Sequence, residues 1–267
     1  MFPTTHHTKK NMPDQGSTDT HASPNHFTIT TWNIRGFRRP NVNELAELLQ
    51  SGAPAVVVVL VLQEVQRRQA RRFSQLLSMH HHWSLKHSPI GRLLRNFSEG
   101  LGVFSTDSLF DCETVNLTPT VKVTDHRRRL AQFAYLSTID ADIVNVHLAS
   151  HRDHRARAVQ LELILNRIAT RGARRCIVAG DFNAAEEPDL YGLLTGAGFL
   201  DAWDDPSTPV LRSDRPGYTN PAGRASKRLD RVFVRGFQVE HIDVPQDGPL
   251  WVKRSDHLPV TATLSPS

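Results

Sequence analysis

The sequence predicts an α/β fold with mixed sheets, and three observations predict it. Short apolar, β-branched runs recur along the chain, amphipathic helical stretches fall between them, and no proline-, glycine- or serine-rich linker breaks the interior. The chain has 267 residues, of which 39% are hydrophobic, enough to bury one large core.

Residues 1–25 come first. They are polar and follow neither a period of two nor one of 3.6, which predicts a disordered tail. The tail has no apolar stretch followed by a small-residue cleavage site, so it does not read as a secretory signal. The first strand is expected over 27–34, where Phe27, Ile29 and Thr31 alternate with Thr28, Thr30 and Trp32. Residues 41–52 read as a helix with Leu45, Leu48 and Leu49 as its apolar side and Gly52 at its end. The run 55–62 is continuously apolar, as a strand buried on both faces is. It is far shorter than the about 20 residues that span a bilayer, so no transmembrane segment is expected. A helix over 66–79 follows. His80, His81 and His82 have no second ligand group at metal spacing and read as a helix-to-strand connection, and 88–100 reads as a basic loop able to reach a substrate. Further strands are expected at 99–105, 130–138, 141–148, 175–182, 228–234 and 258–264. The helix over 153–172 opens on Asp153, repeats Val159, Leu163, Ile164 and Ile168, and closes at Gly172. A shorter helix is expected over 188–198.

The net charge is +5, and arginine clusters at 67–72, 126–130, 151–157 and 171–175 supply most of it. Such clusters attract phosphate-bearing partners, and Arg129 and Arg157 are candidates to reach a phosphate. Two cysteines, Cys112 and Cys176, make no disulfide framework, which fits a soluble protein in a reducing, cytoplasmic compartment. No feature asks for an obligate protein partner.

Polar residues gather where the expected strands end. Asn33 closes the first and Gln63 and Glu64 the second. His147 ends 141–148, and Asp181 and Asn183 end 175–182. Asp230 lies inside 228–234, and Asp256 and His257 precede the last strand. Open α/β sheets bind ligands at strand ends, and such groups are costly to gather without a partner. A divalent metal and a phosphate would answer that cost. Asn33, Glu64 and Asp256 carry the oxygens a hard cation such as Mg²⁺ takes. Asp181 is placed to accept a proton from water. In an extended segment Asn183 points to the same side, where it orients the water or donates to a phosphate oxygen, and Gly180 lets the backbone approach closely. His257, its tautomer held by Asp230, can contact a phosphoryl oxygen. His147 can donate a second hydrogen bond to phosphate or protonate the leaving group.

The segments TTWNIRG, LQEV, VNVHL, VAGDFNA, RLDRVFV and SDHLPV, in this order, resemble the endonuclease/exonuclease/phosphatase superfamily. That is the fold of deoxyribonuclease I, the abasic-site endonucleases, the sphingomyelinases and the inositol polyphosphate 5-phosphatases. The resemblance runs from about 27 to 264 and implies one catalytic domain over 26–267. It implies a four-layer α/β/β/α sandwich, two packed mixed sheets flanked by helices, with one or two Mg²⁺ or Mn²⁺ ions. By motif it carries Asn33, Glu64, His147, Asp181, Asn183, Asp230, Asp256 and His257 into the site, with Glu64 a direct metal ligand. Arg231 stands where the family often has an aromatic residue, and reads as solvated. The expected function is hydrolysis of a phosphodiester or phosphomonoester by activated water, with DNA or RNA the favoured substrate class. A phospholipid, inositol-phosphate or sugar-phosphate hydrolase of the same fold is the alternative, and a catalytically silent phosphate-binding module is the alternative of another class.

Overall fold

A computed structural model describes residues 26–38, 40–50, 57–88, 98–150, 153–204 and 217–267. The 1–25 tail and most of the 88–100 loop lie outside these residues. The elements in chain order are β1 (Phe27–Asn33), α1 (Val42–Gln50), β2 (Val58–Gln66), α2 (Arg67–Leu77), β3 (His80–His87), β4 (Glu99–Ser105), β5 (Phe110–Asn116), β6 (Leu130–Leu136) and β7 (Ala141–His147). They continue with α3 (His154–Arg171), β8 (Arg175–Asp181), α4 (Pro188–Gly196), β9 (Leu200–Asp201), β10 (Asp230–Arg235), β11 (Phe237–Asp243), α5 (Pro249–Val252) and β12 (Val260–Pro266).

The strands form two six-stranded sheets, ordered β11-β12-β1-β2-β4-β3 and β5-β6-β7-β8-β10-β9. Each sheet holds one parallel pair, β1 with β2 and β7 with β8, and the chain crosses between the members of each pair through a helix, α1 or α3. Apolar alternation decides the layering. Phe27, Ile29, Val59 and Val61 of the first sheet meet Ile143, Ile177, Ala179 and Val232 of the second in a central core. The other face of the first sheet packs Leu60, Leu62 and Phe104 against Leu45, Ala70 and Phe73 of α1 and α2. The other face of the second packs Val144, Val178 and Phe233 against Leu161, Ile164, Ile168 and Leu194 of α3 and α4. These layers are the four-layer sandwich that the resemblance implies. No described helix is long and apolar enough to cross a membrane, and Cys112 and Cys176 are both free thiols.

Three local expectations are corrected. His80–His82 open strand β3 instead of connecting a helix to a strand. Val159 and Leu163 are 56% and 40% exposed; the buried face of α3 is Arg157, Gln160, Leu161, Ile164 and Ile168, rotated from the expected stripe. Strands β5 and β11 carry no signal strong enough to have been expected. β5 is a sheet edge whose residues are mostly exposed, and a register shift between Val239 and His241 breaks the alternation of β11.

Strand direction then gathers the polar residues on one rim. β1, β2, β7 and β8 end there, at Asn33, beyond Gln63, at His147 and at Asp181. β10 runs antiparallel to β8 and begins there, with Asp230 opposite Asp181. β12 runs antiparallel to β1, so Asp256 and His257, just before it, enter at the same edge. His147 and Asp181 are paired directly across the parallel ladder.

Candidate functional site

Asp181 is the centre of the rim. It is buried, its Oδ2 accepts from Asn33 Nδ2 at 3.0 Å, and its Oδ1 accepts the backbone N–H of Asn183 at 2.9 Å. The turn that follows is possible because β8 lies close against β7 at Gly180. There φ is +150°, and a Cβ would stand 2.0 Å from the Val146 carbonyl oxygen, so only glycine fits. Asn183 differs from its expectation. The strand has ended at Asp181, Asn183 has a φ of +54°, and its side-chain Nδ2 donates to the Leu148 carbonyl at 3.1 Å. It therefore braces Asp181 through its backbone instead of projecting beside it from an extended segment.

His257 Nδ1 is 2.7 Å from Asp230 Oδ2. The segment that carries His257 is pinned to β1. Trp32 Nε1 donates to the His257 carbonyl at 2.9 Å, and Ser255 Oγ donates to the Asn33 carbonyl at 2.6 Å while accepting from the His257 N–H at 3.1 Å. The imidazole Nε2 then faces Asp181 Oδ2 at 3.9 Å, and His147 Nε2 faces the same oxygen at 3.7 Å. Both gaps are longer than a hydrogen bond.

Burial and charge set the protonation states. Burial alone would lower the pKa of His257, but the Asp230 and Asp181 carboxylates override it and raise it to about 10. Burial raises Asp181 to about 6, against the opposing pull of His257. His147 is pushed well below its usual range by burial and then by Lys86 and Arg129, so it is a neutral imidazole at pH 7.

Glu64 reaches the rim through a β-bulge. Leu62 pairs with Gly102 and Val65 with Gly100, so β2 spends one residue more than β4 over this step. Val65 consequently takes the place behind Leu60 and Leu62 on the helix-covered face, and Glu64, at φ +55°, is turned out of the alternation. Its carboxylate is half-buried and has one long hydrogen bond, from Asn33 Nδ2 at 3.5 Å. Gln63 points between the sheets, where its Nε2 donates to Asn145 Oδ1 at 2.8 Å. Asn145 in turn bridges the carbonyls of Leu62 and Gly102, both at 3.1 Å. Asp256 Oδ2 pairs with Arg35 Nη1 at 2.8 Å near the surface.

The donor set can be tested for a metal. Among the described residues, Asp181, Asp230 and His257 are the group whose ligand atoms lie within 4.8 Å of one another. There the His257 imidazolium, hydrogen-bonded to Asp230, already supplies the positive charge, so this corner fits a proton better than a cation. Asn33 and Glu64 differ. Glu64 offers a lightly engaged carboxylate, an oxygen donor suited to a hard cation that keeps several waters. Asn33 instead points its Nδ2 at Glu64 and Asp181 while its Oδ1 accepts the Arg35 backbone N–H at 3.1 Å, so its amide would have to turn over to present oxygen. Asp256 has Oδ1 left to add.

Two arginines expected to reach phosphate are held elsewhere. Arg157 is fully buried, pairs with Glu187 through two nitrogens, and donates to the Ala149 and Ser150 carbonyls. Arg129 Nε donates to the Leu148 carbonyl at 2.8 Å, and its Nη1 to the carbonyls of His126 and Arg128. It also lines a cleft of about 1050 Å³ with Thr118, Lys122, His126, Arg127 and Ser150, a cleft whose lining includes none of Asn33, Glu64, His147, Asp181 and His257. Arg231 is buried instead of solvated; it pairs with Asp201 at 2.6 Å and lies 3.9 Å over the Tyr191 ring. Sequence reasoning missed Lys86 and Glu99, a buried lysine beside a half-buried carboxylate on β3 and β4. The alternation of Ser84 with Lys86 could have found them had β3 been read as a strand.

Residues 30–257 match the model of the endonuclease/exonuclease/phosphatase family. The chain belongs to this family. Its members are generally phosphoester hydrolases. No match was found among curated protein sequences. Solved structures share the fold. A family protein from Bacteroides thetaiotaomicron aligns with a TM-score of 0.70 at 18% identity, covering 91% of this chain and 99% of that one. A mannosyl-6-phosphatase from the same organism aligns at 0.65 and 17%, covering 89% and 99%. D. rerio TDP2, solved with a single-strand DNA product, aligns at 0.65 and 20%, covering 90% and 99%. At these identities the likeness speaks for the fold alone.

Proposed function

We propose that this member of the family is a divalent-metal-dependent phosphodiesterase over 26–267, with nucleic acid as its favoured substrate class. The observation that carries the reading is the buried Asp181 carboxylate between two imidazoles, one charged and one neutral, on a rim shared with Asn33 and Glu64. Asp181, raised to about 6, is ionised at pH 7 and takes the proton of a water held beside it. That water's oxygen attacks phosphorus, the ester P–O bond breaks, and the leaving oxygen is protonated from solvent. His257, kept as imidazolium by Asp230, donates to a non-bridging oxygen whose charge grows along the reaction. His147, being neutral, serves as a hydrogen-bond donor to phosphate and not as the acid for the leaving group. Glu64 and Asp256 would hold Mg²⁺ or Mn²⁺, with Asn33 joining them once its amide turned its oxygen inward. When bound, the ion neutralises charge on the phosphoryl and leaving oxygens. The net charge of +5 and the basic lining of the Arg129 cleft, with Lys122 and Arg127, favour a polyanionic substrate.

The test is a turnover panel with Mg²⁺ and Mn²⁺ over single- and double-stranded DNA, RNA, sphingomyelin, inositol phosphates, mannose 6-phosphate and bis(p-nitrophenyl) phosphate. Hydrolysis of oligonucleotides, lost in EDTA and in folded H257A, is the expected result. Turnover confined to a lipid or a sugar phosphate would replace the substrate class. Binding without turnover at saturating metal would make the chain a silent phosphate-recognising module.

A further inference from the structure

We propose that Lys86 is a substrate-anchoring residue whose ammonium binds a non-bridging oxygen of the phosphate. The inference rests on the phosphoesterase reading of the same rim. β4 is flanked by two bulges at Gly100: β2 adds a residue between Leu62 and Val65, and β3 adds one between Leu85 and His87. The first turns out Glu64, and the second contains Lys86. A Cβ at Gly100 would stand 2.2 Å from the Ser84 carbonyl, so β3 can close on β4 at this level only because residue 100 is glycine. Arg128 Nη1 braces the β3 bulge from the strand β6 side, donating to the carbonyls of Leu85 and Lys86 at 2.7 and 2.9 Å.

So held, the Lys86 side chain is 4% exposed. Its Nζ is 3.7 Å from Glu99 Oε2, longer than a hydrogen bond. An ammonium has three donors, and a single carboxylate at that range leaves at least two of them open to a ligand. The rim's other cations are engaged at shorter range: Arg129 by main-chain carbonyls and Arg35 by Asp256. Lys86 also feels the charges of Glu64 and Asp181, the two carboxylates closest to the proposed chemistry, and burial lowers its pKa. An anion delivered to that rim would supply the partner the chain does not.

The alternative is that Lys86 only neutralises Glu99, and three variants separate the two: K86M, E99Q and the double variant K86M/E99Q. Each is read by melting temperature, by calorimetric binding of inorganic phosphate, and by KM and kcat for bis(p-nitrophenyl) phosphate. K86M should melt lower, because it leaves a half-buried carboxylate without its counter-charge, and the double variant should recover. Phosphate affinity should fall about tenfold or more in K86M, the scale of one charge-assisted hydrogen bond, and stay low in the double variant. KM should rise by a similar factor with kcat changing less, and E99Q alone should keep the affinity. Recovery of phosphate affinity together with stability in the double variant would overturn the inference while wild-type turnover kept the phosphodiesterase reading. Phosphate binding lost with Lys86, in a protein that hydrolyses no phosphate ester, would keep the anchor and end that reading. Failure of the wild type to bind phosphate would overturn the anchor.

Discussion

At the residue scale the account turns on two opposite protonation states held 3.9 Å apart, an ionised Asp181 and a charged His257. The sign of the pH dependence follows. A base must be unprotonated, so kcat/KM should rise as pH passes the Asp181 value of about 6. A cation must stay protonated, so activity should fall as pH passes the His257 value of about 10. Asp230 raises both values, so D230N should move both limbs to lower pH and cut kcat/KM by about 10²- to 10⁴-fold, as measured over pH 5–11. An unmoved profile would remove Asp230 from the site. The gathering of Asp181, His257, Asp230, Asn33, Glu64 and His147 on one rim was legible in sequence because each is a polar residue at the end of an apolar run or, for Asp230, inside one. The arginines were not. A linear cluster says nothing about which way a guanidinium turns, and Arg157 turns inward to Glu187. Replacing it should strand that carboxylate: R157M should lose about 3–5 kcal/mol of stability in urea denaturation, with KM unchanged in the folded fraction.

At the element scale the site depends on departures from regular strands. The bulge at Glu64 and the glycine contact at Gly180 aim side chains that a straight ladder would bury or spread. G180A would force a Cβ into the Val146 carbonyl at an unfavourable φ. It should cost at least about 2 kcal/mol, seen as a lower denaturation midpoint with unchanged slope. The same departures explain what the sequence concealed. Strands with strict alternation or continuous apolar runs, such as β1 and β8, could be placed to within a residue or two. β3 is rich in histidine, β5 is an exposed edge and β11 shifts register midway, so none of them carries a clean period of two. Lys86 stayed hidden with β3.

At the scale of the whole molecule, the two sheets bring together residues as far apart in the chain as Asn33 and His257. The central core is apolar for most of its length and turns polar toward the rim. Just below the site Gln63, Asn145, Gln132 and Ser84 link the sheets by hydrogen bonds. That column ties the strands bearing Glu64 and Lys86 to the strand bearing His147, so the rim holds its shape before substrate arrives. The central claim is that this rim uses Asp181 to activate water with the help of a divalent cation. It is tested most directly by following bis(p-nitrophenyl) phosphate hydrolysis with Mn²⁺ or Mg²⁺ in the wild type and in D181N, with and without EDTA. The account predicts wild-type turnover that chelation abolishes and that a folded D181N loses by about 10³-fold. Turnover indifferent to EDTA, or undiminished in D181N, would contradict it.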